Sequence, residues 1–372
     1  MVKYISTYEK LSSLKQDIDS LEELYHYLHI AMEIELATIP AYLCALYSLK
    51  PGTNQPARDI IRSVVMEEML HLTLVANVLN AVGGQSRLND PEFVPNYPTE
   101  LPDSDIEFPN GEPFKVPLQK FSREAVKTFM RIEQPEETDS PPEVEGWSSI
   151  GQFYHGLIAG LDNLCNKIGV EKVFTGTIES QIRPEDYYGA AGHVIIVADE
   201  DPAKALIKAK LAFEEIIEQG EGVKNQVFDD DTIPGKHGTE VHVPAHYFRI
   251  QELELGKYYQ DGDQPNQPTG PDLHIDWDAV FPMTRNSKMS DYPQGSEIHT
   301  AMLLFNQTYM ELLDHLQITF TGHRDALTKA VGVMYQLRYK AEALMKVPNP
   351  NDPTKTVGPS FEYVPIGSRR NA

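Results

Sequence analysis

The chain has 372 residues, 41% of them hydrophobic and 23% charged, and its 32 basic against 55 acidic side chains leave a formal charge of −23. That balance excludes a nucleic-acid binder, which needs a basic surface to displace counterions, and argues against docking on an anionic membrane. Cys44 and Cys165 stand alone without a CxxC pair, which removes the disulfide-scaffold and cysteine–zinc classes. In chain order, the N-terminal run MVKYISTYEKLSSLKQDID has no apolar signal core. No apolar run approaches the roughly 18 residues of a membrane span, so the expectation is a cytoplasmic protein.

Residues 20–82 read as two long helices joined by Lys50-Pro51-Gly52-Thr53-Asn54, a turn that sets them antiparallel. Residues 83–148 carry closely spaced prolines from Pro91 to Pro117 and are too long for an ordinary connection. Their aromatics Phe93, Tyr97, Phe108 and Phe114 predict an ordered crossover or lid packed on something. Helical texture returns at 150–168, 201–221 and 242–256, and His193–Ala198 reads as a short strand or an extended buried piece. A second irregular stretch, 257–296, precedes two more helices at about 297–319 and 323–346 and a Pro-rich tail. The chain is therefore mainly α, with too few strand signals for a Rossmann or barrel fold.

Chemistry shows where charge interrupts an apolar stripe. Leu24, Leu28, Ala31, Glu35, Ile39, Tyr42 and Leu46 fall on one face of the first helix. Glu33 lies about 200° away and is expected in solvent with His29. A carboxylate on a core face is costly unless paired, hydrogen-bonded or bound to a metal. The second helix repeats the anomaly: Ile61, Val65, Glu68, His71, Leu72, Val75 and Leu79 share a face, and Glu68-Met-Leu-His71 is a Glu-x-x-His pair. Glu67 also meets His71 at i, i+4. The Glu-x-x-His pair is the inward unit of di-metal carboxylate bundles. The helix at 203–222 ends with Glu214, Glu218 and Glu221 on one flank, and the next segment holds His242 and His246 around Pro244. Four segments thus supply a Glu, a Glu-x-x-His, a Glu and a His in order. GxSxG, Walker, GxGxxG and HExxH motifs are absent, His274-Ile-Asp276-Trp-Asp278 is a weak cation candidate, and Glu311 with His315 reads as a solvated pair.

The run Ile34-Glu-Leu-Ala-Thr-Ile-Pro-Ala-Tyr-Leu43, then Glu68-Met-Leu-His-Leu and Asn77-Val-Leu-Asn-Ala-Val-Gly-Gly84, resembles the ferritin-like domain family of the violacein-pathway iminophenylpyruvate dimer synthase. The likeness continues through Tyr97-Pro, Leu101-Pro102, Ile150-Gly-Gln-Phe-Tyr154, Gln219-Gly-Glu-Gly222, His246-Tyr-Phe-Arg249, Phe305-Asn306, Tyr309 and Pro359-Ser-Phe-Glu-Tyr363, nearly the whole chain. The resemblance implies a ferritin-like helical bundle over 1–256, including the crossover 83–148, with long Pro-rich insertions. It also implies an added C-terminal helical pair within 257–372, packed on the bundle. By the family's metal pattern Glu35, Glu68, His71, Glu221 and His246 become ligand candidates. A full second Glu-x-x-His would need a carboxylate where this chain has Val243; the alternatives are that Glu218 replaces it, that the site is mononuclear, or that it is degraded. The named synthases are much longer proteins, so their coupling reaction is not carried over.

The resulting expectation is a non-haem metal oxidoreductase with one or two irons, manganese and zinc being compatible with the same donors. Dioxygen and a small organic, amino-acid-derived substrate would be its partners, with no nucleic acid and no membrane; a homodimer is compatible with the C-terminal pair. The alternatives are a metal-binding or storage protein without turnover, and a metal-free structural partner protein.

Overall fold

Ser20 opens helix α1 (Leu21–Ser48) by accepting a hydrogen bond from the Glu23 N–H at 3.2 Å, which satisfies one of the free amides of the first turn. The computed structural model describes residues 18–107, 111–136, 142–187, 193–222, 226–234 and 240–368. Most of the N-terminal run read for a signal core, and Phe108 of the crossover, lie outside the described residues. α1 runs unbroken through Pro40 and returns as α2 (Gln55–Ala81) after the expected turn. α4 (Ile150–Ile168), capped by Ser149, and α6 (Pro202–Glu221), capped by Asp201 with Pro202 in the first turn, pack on each other. α1 also contacts α4, and α2 contacts α6, so the four long helices close into a bundle.

Two smaller pieces lie against that bundle. The crossover contains the paired strands β1 (Thr99–Glu100) and β2 (Lys115–Val116) and helix α3 (Arg123–Ile132), which the sequence reading did not separate from its surroundings. Phe93, Tyr97 and Phe114 are buried, as expected of a packed crossover, and the Tyr97 hydroxyl donates to the Ala37 carbonyl at 2.8 Å. α3 pairs with α7 (His246–Leu255). α7 begins four residues later than the predicted segment, because 242–244 belong to a hairpin of β3 (Phe228–Pro234) and β4 (Glu240–Pro244). A single turn, α5 (Val170–Val173), follows α4. The C-terminal helices α8 (Glu297–Phe320) and α9 (Ala326–Leu344) pair with each other and lie on α2 and α1 respectively. The short ribbon β5 (Pro348–Asn349) and β6 (Asp352–Thr356) follows.

α1 is buried on almost every side, with the bundle interior on one face and the C-terminal pair on another. This all-round burial explains why, Glu35 and Thr38 apart, it is apolar nearly all round after Ile34. Contrary to the sequence expectation, it is long and apolar enough to cross a membrane, yet 89% of that apolar window is buried within the protein. The periphery also differs from expectation at Glu33. His29 is buried, hydrogen-bonded to the Gln85 carbonyl at 2.8 Å, and Glu33 is half-buried rather than solvated. Burial, and then the nearby Asp103 carboxylate, push the Glu33 pKa up to about 7.

The described residues 177–187 and 193–199 are held by side chains instead of a sheet. His193–Ala198 is extended and largely buried, and Asn77 on α2 satisfies its backbone. Asn77 Nδ2 donates to the carbonyls of Ile182 and Ile195 at 2.9 Å each, and Oδ1 accepts from the Ile182 N–H at 2.8 Å. Replacing Asn77 by leucine keeps the volume and strands these buried backbone groups. We expect Asn77→Leu to destabilise the chain by on the order of 3 kcal/mol. Urea unfolding checks this, and a loss below about 1 kcal/mol would contradict it.

Candidate metal centre

Four elements carry five buried side chains to one point inside the bundle: Glu35 from α1, Glu68 and His71 from α2, Glu133 from the end of α3, and His246 from the first turn of α7. His71 Nδ1 stands 3.4 Å from Glu35 Oε2 and 3.8 Å from Glu68 Oε1. His246 Nδ1 lies 3.1 Å from Glu68 Oε1 and 3.4 Å from Glu133 Oε2. The two imidazoles stack with centroids 5.3 Å apart. One ligand atom each from Glu68, His71 and His246 can be chosen with all three within 4.8 Å of one another. Glu35, Glu68, His71 and Glu133 line a cavity of about 10 Å³, closed by Ile150, Gly151, Ile216 and Gly220. That is room for about one water-sized sphere.

The outer atoms are anchored so that the inner ones converge. Glu35 accepts from the Tyr154 hydroxyl of α4, Glu68 accepts from Thr38 Oγ1 at 2.6 Å, and Glu133 accepts from the Tyr42 hydroxyl. His71 Nε2 meets Gln219 Oε1 of α6 at 3.0 Å, and His246 Nε2 meets Glu67 Oε2 at 2.9 Å. Both outer partners are acceptors, so each ring can carry a proton on Nε2, and Nδ1 would be the inward ligand atom with a metal bound. His246 Nδ1 is buried without a hydrogen-bond partner despite its near carboxylates. Those groups aim at a shared point more than at each other, the arrangement expected of metal ligands with fixed outer-sphere partners.

The electrostatics follow from crowding in a dry site. Burial, and then the Glu133 charge, push the Glu68 carboxyl upward. Burial pulls the two imidazoles down, but their carboxylate partners, Glu35 for His71 and Glu133 with Glu67 for His246, win and hold them above the usual histidine value. Burial, assisted by the adjoining carboxylates, also holds the Tyr42 and Tyr154 phenols far above neutrality, so both stay hydrogen-bond donors. Arg249 clamps Glu67 with both terminal nitrogens, Nη1 reaching Oε1 at 3.0 Å. Burial acts to raise Glu67, yet the Arg249 guanidinium and His246 hold it well below the usual carboxylate range.

Of the residues singled out from sequence, Glu35, Glu68, His71 and His246 meet at the point just described. Glu221 stands on the cavity wall, its Oε1 and Oε2 accepting from the backbone N–H of Gly151 and Glu136 at 2.8 Å each. A Cβ at Gly151 would come within 2.5 Å of Glu221, so this approach needs glycine there. Glu218 is half-buried on α6 and does not line the cavity. His242 is exposed on β4, and Val243 is on the same strand, so neither continues the α7 face. Sequence reasoning missed Glu133. Its signal was the Ser122 cap followed by Val126, Phe129 and Glu133 at i, i+3 and i+7, hidden in a stretch read by its prolines.

A second cluster lies outward of the first. His193 Nδ1 sits 2.8 Å from Glu215 and 3.2 Å from Asp231, and Gln219 Nε2 donates to both carboxylates at 2.8 and 3.1 Å. Gln219 thus joins the partly exposed cluster to His71. The hydrogen bond that His193 donates to Glu215, and then the Asp231 charge, raise His193 to about 9 against the opposing effect of burial.

The family model described as Ferritin-like matches residues 28–255. Dichlorochromopyrrolate synthase from Lentzea aerocolonigenes is 28% identical over 341 residues, covering 83% of this chain and 30% of that protein. The chain therefore spans about a third of the length of that curated relative. Among solved structures, a ferritin-like protein from Caulobacter vibrioides is similar with a TM-score of 0.62 and 25% identity, over 89% of this chain and 97% of that one.

Two stability tests follow from these charges. Arg249→Met leaves Glu67 without its guanidinium and should cost about 3 kcal/mol at neutral pH. Because the folded Glu67 value lies below its unfolded one, near 4.5, that contribution is present above the unfolded value and lost as pH falls through the folded one. Denaturant titrations should therefore show the gap between wild type and variant shrinking in acid. His193 has the opposite sign: its contribution is full below about 6.5 and lost as pH rises through about 9. With chelator present, the stability difference between wild type and His193→Gln should close by about pH 10. A gap that persists there would contradict the ion-pair account.

Proposed function

The chain belongs to the ferritin-like family, and on that premise we propose that it is a non-haem metal enzyme of the oxidase or oxygenase type. The observation that carries this reading is the gathering of three carboxylates and His71 around one small cavity, with His246 Nδ1 behind it at 3.1 Å from Glu68 and 3.4 Å from Glu133, and both outer ring nitrogens held by acceptors. Glu35, Glu68, His71, Glu133 and His246 would hold the metal. Iron is the preferred ion, and manganese or zinc suits the same oxygen and nitrogen donors. A redox-active ion bound there would supply the one-electron steps that dioxygen chemistry requires. The chain's own side chains do the positioning: Thr38, Tyr42 and Tyr154 orient the carboxylates, while Gln219 and Glu67 keep both rings in one tautomer. Glu221 stays a further candidate on the cavity wall, since each of its oxygens accepts one backbone N–H and keeps a second lone pair. The likeness to dichlorochromopyrrolate synthase, by its name a biosynthetic enzyme, supports a small organic substrate.

The size of the cavity favours a second reading. About 10 Å³ beside Glu35 and Glu133 admits one water-sized particle and no organic substrate without rearrangement. A centre that holds its metal and reacts with small molecules alone fits that volume.

Metal content by plasma mass spectrometry decides whether the site exists. Protein expressed with excess iron and purified without a histidine tag should carry one to two irons per chain. Glu68→Ala, His71→Ala and Glu133→Ala, each checked for folding by circular dichroism, should lose at least 10-fold, while Glu218→Ala keeps the wild-type content. A substoichiometric mixture unchanged by the ligand variants would overturn the assignment. With iron bound, oxygen uptake that depends on an organic co-substrate favours the first reading, and uptake independent of one favours the second.

A further inference from the structure

A second cavity lies away from the charged centre. It lies between the α1–α2 hairpin and the C-terminal pair α8–α9, has a volume of about 250 Å³, and shares no lining residue with the small polar cavity. Its walls are apolar, with Leu36, Ile39, Leu72, Leu313, Phe320 and Leu337 all buried. A void this large, lined by hydrocarbon, forgoes the dispersion contacts of a packed core unless something fills it. The size falls near the lower end of small-molecule sites, about 300–1,000 Å³.

Two polar features interrupt the hydrocarbon. Tyr309 is 2% exposed, lines the cavity and has a hydroxyl with no hydrogen-bond partner. A buried hydroxyl left unsatisfied costs about 1–3 kcal/mol, so an acceptor inside the cavity would stabilise it. On the exposed side stand Arg62 and Arg338, whose side chains are 64% and 45% exposed. Arg62 Nη2 contacts Asp59 at 3.0 Å and Arg338 Nε contacts Glu342 at 2.8 Å, both from their own helices. Each guanidinium carries five N–H donors, so its fork can take a second carboxylate. Arg58 is close as well, its pKa lowered by burial and then by the charges of Arg338 and Arg62. Arg58, Arg62 and Arg338 against Asp59 and Glu342 leave a small local excess of positive charge at an apolar mouth, in a chain whose net charge is −23.

We propose that the cavity between α1–α2 and α8–α9 is a binding site for an organic carboxylate with an apolar body and a hydrogen-bond acceptor at its far end. The carboxylate meets Arg62 and Arg338, the body fills the hydrocarbon walls, and the acceptor reaches Tyr309. Nothing in this assignment depends on the metal centre, so either can fail alone.

The test uses the full chain, isothermal titration calorimetry, and four probes below their micellar limits: dodecanoate, 12-hydroxydodecanoate, dodecanol and dodecyltrimethylammonium. The expected order is 12-hydroxydodecanoate tightest, then dodecanoate, with the neutral and cationic chains at least 10-fold weaker. Arg62→Glu with Arg338→Glu, both surface changes, should weaken the two carboxylates at least 10-fold and leave dodecanol unchanged. Tyr309→Phe should abolish the advantage of the 12-hydroxyl group. Leu313→Trp, which fills the cavity, should remove binding of every probe; should it not fold, the surface arginine pair still decides the question. Equal binding of all head groups, or no carboxylate binding to folded wild type, would overturn the proposal. So would a stable dimer, seen by light scattering, whose dissociation the probes do not affect and in which they do not bind.

Discussion

Removing a carboxylate from water costs several kcal/mol unless its charge is balanced and its oxygens are bonded. This protein places Glu35, Glu68 and Glu133 around one small cavity. The rest of the bundle is organised to make that tolerable. Each carboxylate receives a hydroxyl hydrogen from a different residue: Tyr154 of α4 bonds Glu35 of α1, Thr38 of α1 bonds Glu68 of α2, and Tyr42 of α1 bonds Glu133 after α3. The imidazoles extend the same network outward, His71 to Gln219 of α6 and His246 to Glu67, itself held by Arg249 of α7. Every helix that touches the centre is thus tied to it by a hydrogen bond that is useful only while the centre is assembled. A partly satisfied network of this kind would be worse than a hydrocarbon core, so its completeness is itself a structural requirement.

The α1–α2 hairpin separates two cavities of opposite character. Toward α4 and α6 it presents carboxylates and an imidazole around a space for one small molecule. Toward α8 and α9 it presents leucines, a proline and methionines around a space some tens of times larger. Both faces belong to the same pair of helices, which accounts for the unusually apolar composition of α1. The C-terminal pair therefore does more than lengthen the bundle: it converts an outward helical face into an interior.

Legibility differed sharply among the ligand candidates. Glu35 and the Glu68–His71 pair stood out because they broke apolar stripes on long helices, where a 3.6-residue period leaves little choice of face. Glu68 over Glu67 was a narrower inference, and the structure sorts them by partner: Glu68 turns to the cavity, Glu67 to Arg249 and His246. The Glu218–Glu221 flank was ambiguous because an acidic helix end has no apolar reference on that side. Glu133 escaped because its helix is ten residues long and embedded among prolines.

What the sequence determined by itself was the set of elements with strong internal periodicity: two antiparallel helices carrying buried charge, the bundle built on them, the late helical pair, and the family that these residues resemble. Local propensity and amphipathic spacing are properties of neighbouring residues, so they survive without a fold. Only the tertiary structure decided that the third carboxylate comes from the crossover, that His246 stands at a helix start after a hairpin, and that Gln219, Glu67 and Arg249 fix the rings from behind. Those contacts join residues up to 182 positions apart. No period links such residues, and their geometry follows from how whole elements pack.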